Sequence, residues 1–363
     1  MMAKLGDVFK KVSSNIDQKD LDDRNGCFPI YGASGFIKNV DFYHQEKAYI
    51  AIVKDGAGVG RVMLLPAKSS VIGTMQYIIP NDDVNIEYLA YALEHMNLAK
   101  YYSGATIPHI YFKDYCMEEL PIYSTEEQNH IASVLNQVSN LIVLRKHQLS
   151  KLDELVKSRF IEMFGDVITN TREWKQYIFS EIATSRLGKM LDAKQQIGNN
   201  SFPYLANFNV QWFRFDLTSL NKMDFDEEDQ VEFELQDGDL LVCEGGEIGR
   251  CAVWHNEMQP CYFQKALHRV RCNTELINPN YMAWWFKYNC DHNGFAAIEG
   301  AKATIAHLPG AKMKLLSVAT PPIELQNEFA AFIEQIDKSK LEIQMSLEKL
   351  ETLKKALMQK YFG

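Results

Sequence analysis

Apolar residues recur with a helical period in two long stretches of the chain. In the first, Ile131, Leu135, Val138, Ile142, Leu149, Leu152, Val156 and Met163 are separated by steps of four and three residues or their sums. In the second, Phe329, Ile333, Ile336, Ile343, Leu347, Leu350, Leu357 and Tyr361 follow the same kind of steps. Such spacing draws one apolar seam down a helix, which is what one helix needs to lie along another. Neither stretch holds a Gly or Pro before its terminal Phe-Gly, so nothing inside interrupts it.

The two stretches are copies of one unit. A shift of 198 residues lays Gln128–Gly165 on Gln326–Gly363 without a gap. Eleven of the 38 positions are identical, among them Gln128/Gln326, Ala132/Ala330, Gln137/Gln335, Lys151/Lys349, Leu152/Leu350, Leu155/Leu353 and Phe164/Phe362. A seam alone describes ordinary bundle packing equally well. A copy in register adds that one task is done twice. The basic residues within the seams, Arg145, Arg159, Lys340 and Lys354, can lay their stems on it and lift their charge into water.

The repetition reaches beyond the helices. Leu5, Val8, Phe28 and Pro29 match Phe179, Ile182, Phe202 and Pro203 at an offset of 174. Asp55-Gly-Ala-Gly-Val-Gly-Arg61 matches Glu244-Gly-Gly-Glu-Ile-Gly-Arg250 at 189, and Thr106-Ile107 and His109 match Thr304-Ile305 and His307 at 198. The growing offset implies loop insertions in the second copy, much of the first increment falling between Val210 and Gln230. β-rich runs flank the glycines at residues 47–53 and 61–65, and again at 239–243 and 250–254. Residues 87–100 and 279–288 read as helices, the second opened by Asn278-Pro279. Pro121 and Pro321-Pro322 fix where the long helices begin. The order is domain (1–123), helix (124–165), larger domain (166–323), helix (324–363), and each domain is mixed α and β.

Composition narrows the class. An apolar share of 47% with 12% aromatics supports sizeable cores over 363 residues. The seven cysteines form no C-x-x-C pair, which fits a reducing compartment and buried thiols. The start lacks the apolar core of a signal peptide and no stretch is apolar enough for a membrane span, so the expectation is a soluble cytoplasmic protein. The net charge of −9 speaks at first against nucleic acid. Its source is local: nine carboxylates and no Lys or Arg lie between Asp224 and Asp239. Outside that run, residues 165–323 hold 15 basic against 11 acidic side chains. The run itself reads as a solvated acidic loop that must face away from any phosphate.

No catalytic constellation emerges. The glycine runs are followed by extended apolar segments, whereas a dinucleotide fingerprint needs a helix there, so they read as tight hairpins. Asn278-Pro-Asn-Tyr281 approaches the Asn-Pro-Pro-Tyr/Phe motif of amino-methyltransferases but lacks its second proline and opens a helix, so capping explains it better. His109 and His307 have no evident nucleophile beside them.

Two variable domains, each ending in Gly-Ala…Thr-Ile-x-His, then Pro-Ile and a Gln-initiated helix closing on Phe-Gly, resemble specificity subunits of type I restriction–modification systems. The resemblance covers nearly the whole chain. One departure is the opening of the first domain: it starts abruptly at Met1-Met2-Ala-Lys-Leu5, where the second carries Thr171-Arg-Glu-Trp174 ahead of the matching position. The resemblance implies an α+β fold, with two similar target-recognition domains separated by two long helices packed as an antiparallel coiled coil. It implies a non-catalytic subunit that reads a bipartite, asymmetric site on double-stranded DNA. Thirty-eight helical residues span roughly 57 Å, enough to hold two readers about one or more helical turns (~34 Å) apart on B-DNA. The implied partners are two modification (methyltransferase) subunits and ATP-dependent restriction subunits. S-adenosylmethionine, ATP and Mg2+ belong to those partners, and none to this chain. Candidates for DNA contact are Ser34, Lys38, Lys54, Arg61, Thr106 and His109 in the first domain. In the second they are Arg186, Lys189, Asn207, Asn209, Arg250, Lys302, Thr304 and His307. Arg61 and Arg250 repeat in register, which favours a shared structural or phosphate role, whereas Arg186 and Lys189 lack a clear counterpart and suit sequence reading. Two rivals remain, a coiled-coil scaffold without a nucleic-acid role and a DNA methyltransferase with degenerate motifs.

Overall fold

The computed structural model describes residues 1–104, 107–191, 198, 200–295 and 308–363. Its contacts divide the chain into two compact units, Met1–Gln148 with Ile343–Gly363, and Leu149–Glu342. Each 40-residue helix, Thr125–Phe164 and Ile323–Phe362, is divided between them.

In the first unit the glycine run joins antiparallel strands Tyr49–Val53 and Val62–Leu65. They belong to a four-stranded sheet in the order Phe9–Ser13, Met75–Pro80, Tyr49–Val53, Val62–Leu65. Every residue of Tyr49–Val53 is buried because the strand has a core on both faces. Ile50 and Ile52 meet Tyr88, Leu89 and Leu93 of helix Ile86–Met96, while Tyr49, Ala51 and Val53 join Val71 and Tyr77. A three-stranded sheet (Gly35–Val40, Phe28–Gly32, Ser70–Val71) and the pair Met2–Lys4 with Glu119–Pro121 complete the unit. Ile131, Ala132 and Leu135 of the first long helix and Met358 of the second close its core. Tyr123 Oη donates to Tyr361 O at 3.2 Å and Lys146 pairs with Glu351 at 2.9 Å. Numbers rise along one helix as they fall along the other, so the two run antiparallel.

The second unit repeats this plan. Its four-stranded sheet runs Ala183–Leu187, Leu267–Cys272, Leu240–Cys243, Cys251–Val253, and its three-stranded sheet Asn221–Asp224, Ser201–Leu205, Tyr262–Phe263. The parallel pairing inside the small sheet recurs as well. Strands Lys175–Ile178 and Ser317–Thr320 form the closing pair. What the second unit adds is a small hairpin, Val210–Gln211 with Arg214–Phe215, and helix Glu227–Phe233, both within or beside the stretch where the offsets placed insertions. Phe160 and Phe329 rings lie 5.5 Å apart, Arg159 binds Glu328 at 2.9 Å and Lys340 binds Asp153 at 2.8 Å. These contacts are antiparallel again.

The seam residues are covered to differing degrees. Ile131, Leu135, Val138, Val156, Phe329 and Leu347 are buried, and Ile142, Leu149, Leu152, Ile333, Ile336, Ile343, Leu350 and Leu357 half-buried. The basic seam residues carry partners: Arg145 donates to Gln148, and Lys354 pairs with Glu94 at 3.2 Å. The duplicated glutamines lock each long helix to the helix before it. Gln128 Oε1 accepts the Asn85 backbone N–H at 2.9 Å and Gln326 Oε1 that of Asn278 at 2.8 Å. Asn85 and Asn278 are N-caps, so Asn278-Pro-Asn-Tyr281 is a capping sequence as read.

Two expectations need correction. The acidic run is solvated over most of its carboxylates but is not simply a loop: it ends a strand, forms helix Glu227–Phe233 capped by Asp226, and holds cations with three of its members. Asp239, 2% exposed, takes Arg271 at 2.7 Å, Glu232 takes Arg186, and Asp229 takes Lys189. Of the cysteines, Cys243, Cys251 and Cys261 are buried as expected, whereas Cys116, Cys272 and Cys290 are half-buried and Cys27 is exposed.

Candidate nucleic-acid interface

Three loops converge in the first unit. The turn after strand Phe28–Gly32 carries the exposed Ser34. The glycine loop reaches it through Arg61, whose Nη1 donates to Ala33 O at 2.8 Å. The segment ending at His109 is hooked onto the start of the same loop: Gly56 N donates to Pro108 O at 2.9 Å and Ile110 N to Lys54 O at 2.9 Å. His109 Nδ1 contacts Asp55, which also holds Lys54 at 3.8 Å, and the His109 ring lies 4.1 Å from that of Tyr111. Lys38 stands apart. Its Nζ is taken by Leu21 O (2.8 Å) and Asp22 O (3.3 Å).

The second unit builds the same junction from different tips. Asn207 and the exposed Phe208 form the turn after Ser201–Leu205. Arg250 Nη2 donates to Asn207 O at 3.0 Å and Asn207 Oδ1 at 2.9 Å, and Asn207 Nδ2 donates to Gly245 O at 2.9 Å. Leu308 N donates to Glu244 O at 2.7 Å, the counterpart of the first unit's hook. Burial pushes the adjacent Cys243 thiol up to about 11 despite the Arg250 guanidinium beside it, so it is a packed group rather than a nucleophile.

Other candidates have interior or covered positions. Lys189 is 8% exposed, donates to Asp224 O at 2.9 Å and meets Asp229. Asn209, 1% exposed, donates to Asp216 O and Ser219 O and accepts from Ala206 N. Arg186 is exposed beside Glu232. Thr106, Lys302, Thr304 and His307 lie outside the described residues. Sequence reasoning missed two exposed aromatics, Phe36 (58%) in the strand just past the first turn and Phe208 (51%) in the second turn. An apolar residue set among Gly, Ser and Asn in a turn was the available signal. The arrangement offers hydrogen-bonding groups and apolar edges on braced turns, which suits recognition of a surface.

Comparison with known proteins accords with this geometry. The family model described as type I restriction modification DNA specificity domain matches residues 1–154 and 171–354. A curated type I restriction enzyme MjaX specificity subunit of Methanocaldococcus jannaschii is 24% identical over 176 residues, covering 47% of this chain and 41% of the relative. The chain thus spans less than half the length of that relative in the match. The fold is similar to the crystal structure of the type I restriction–modification S subunit from M. genitalium, with a TM-score of 0.66 and 14% identity over 100% of this chain and 96% of that one. It is also similar to a chain from a structure describing complex assembly and conformational transition of the type I R-M system, with a TM-score of 0.57 and 13% identity over 99% and 97%. By the match of the family model to both halves of its sequence, the chain belongs to the type I restriction–modification DNA specificity family.

Proposed function

We propose that this chain is a DNA sequence-recognition subunit that makes no covalent change itself. It reads a bipartite, asymmetric site, one block with each target-recognition domain, residues 1–123 and 166–323. Residues 124–165 and 324–363 serve as spacer and as docking surface for two methyltransferase subunits, which restriction subunits join. The observation that carries this reading is one frame built twice with unlike exposed tips. Two readers on a shared frame with different tips suit two different half-sites, with base edges read in the groove and phosphate contacts setting register. Among the candidates, Ser34 and Arg186 have exposed side chains and are read as DNA contacts, whereas Arg61, Lys189 and Asn209 shape the loops.

Docking finds support in a pair of repeated leucines. Leu155 and Leu353 are identical in the repeat and each is 46% exposed, which a purely internal seam does not require. Repeated outward leucines favour two copies of one partner.

The test is selection from random duplexes by the chain bound to a type I methyltransferase subunit. Two short fixed blocks separated by unread positions of constant number are expected. No enrichment would leave the scaffold reading standing, and S-adenosylmethionine binding by the isolated chain would favour the methyltransferase reading.

A further inference from the structure

The two arginines that repeat in register make the same contact with equivalent positions that hold unlike residues. Arg61 reaches the carbonyl of Ala33, and Arg250 that of Asn207. Arg61 and Arg250 are related by an offset of 189, whereas Ala33 and Asn207 are related by 174. The contact has therefore survived loops of different length between its partners. Behind each arginine the glycine loop is pressed against a helical segment. A Cβ on Gly60 would lie 2.4 Å from Ala99 N, and one on Gly249 would lie 3.2 Å from Cys290 Sγ and from the Phe286 and Phe295 rings. Both glycines have positive φ, 83° and 76°, so only glycine is comfortable there. Each loop is thus seated on the unit's own framework, and its arginine transmits that seating to the turn.

What the arginines hold is unlike in the two units. The first turn shows Ser34 and, just beyond it, Phe36. The second shows Phe208. Resting on the recognition role proposed above, we propose that Arg61 and Arg250 are positioning residues. The turns they brace, with tips Ser34/Phe36 and Phe208, are specificity-determining surfaces for the two half-sites. A guanidinium donor held by a main-chain carbonyl fixes backbone position through a contact that carries no sequence information. An exposed serine offers a donor and acceptor to a base edge, and an exposed phenylalanine offers an apolar face to a thymine methyl group. A turn left unbraced would keep its side chains but lose their aim.

The experiment uses the full chain bound to its methyltransferase partner, with selection read block by block. Arg250→Met and Phe208→Ala are expected to weaken discrimination about tenfold or more in one and the same block, leaving the other intact. Arg61→Met and Phe36→Ala should do the same to the other block. Arg250→Lys and Arg61→Lys, which retain a donor, should restore most of the motif. Melting curves accompany each variant, and if a methionine variant does not accumulate, Phe208→Ala with Arg250→Lys decides. A uniform loss of affinity on all sequences in Arg250→Met would make the residue a phosphate contact and overturn the proposal. So would an unchanged motif with only a lowered melting temperature, or Phe208→Ala and Arg250→Met affecting different blocks. A wild-type complex without any motif would instead overturn the recognition role itself, and this assignment with it.

Discussion

Phe362, next to the last residue of the sequence, packs its ring 5.2 Å from that of Tyr88. Tyr88 is fully buried in the first unit's core, and Met358, one turn earlier than Phe362, is 6% exposed in the same core. The first unit is therefore completed by a segment that follows it by some 200 residues.

Removal of Ile343–Gly363 should consequently open the first unit and leave the second folded. The milder Met358→Ala should cost about 2–5 kcal/mol, the range for large-to-small changes in a core. Hydrogen exchange resolved by peptide checks this: protection should fall in Ile86–Met96 and persist in Pro279–Asp291.

The duplicated glutamines give a second outcome. Gln326 is fully buried; it accepts from Asn278 N and donates to Leu276 O and Pro321 O at 3.0 and 2.7 Å. Gln326→Ala leaves these groups unpaired, at about 1–3 kcal/mol for each one that water does not reach. Urea unfolding should register the loss, and the Asn278 amide should exchange faster. Gln128→Ala should repeat the effect at Asn85.

How much of this was legible in the sequence depended on how local the cause was. The seam was legible because a helix fixes the spacing of its own faces, and Ile131 through Leu357 fall where period alone puts them. The glycine hairpins were legible because strands flank them. Lys189 was not: its burial depends on Asp224 and Asp229, 35 and 40 residues away. The ion pairs of the acidic run were illegible for the same reason, since their cations come from distant segments. Gln128 and Gln326 are identical in the repeat, but their partners Asn85 and Asn278 are related by a different offset, 193, which the repeat of the helices does not reveal.

Acid should weaken the second unit through His268. Burial, the larger influence, holds its pKa below the ordinary 6.5, although Glu244 opposes this; Lys314 adds to it. Its ring donates Nε2–H to Leu308 O at 3.2 Å. The unfolded chain then binds the proton more readily, so the stability His268 contributes is present above pH 6.5 and lost as pH falls through and below it. Melting temperatures at pH 7.5 and 5.5 should differ less in His268→Gln than in the wild type.

Thiol reactivity should separate sharply by site. Cys27 is exposed, whereas burial pushes Cys261 and Cys272 up to about 12 and Cys251 well above its ordinary value. Iodoacetamide at pH 8 should modify Cys27 rapidly, half-buried Cys272 slowly, and buried Cys251 and Cys261 only on unfolding, as mass spectrometry of digests would record.

The most direct measurement is a map of methylated adenines in cells expressing the chain with a type I methyltransferase subunit. It should be repeated after residues 1–123 are exchanged for another target-recognition domain. The account predicts a split, asymmetric motif of which the exchange rewrites one block and spares the other. A single uninterrupted motif, or an exchange that alters both blocks or neither, would contradict it.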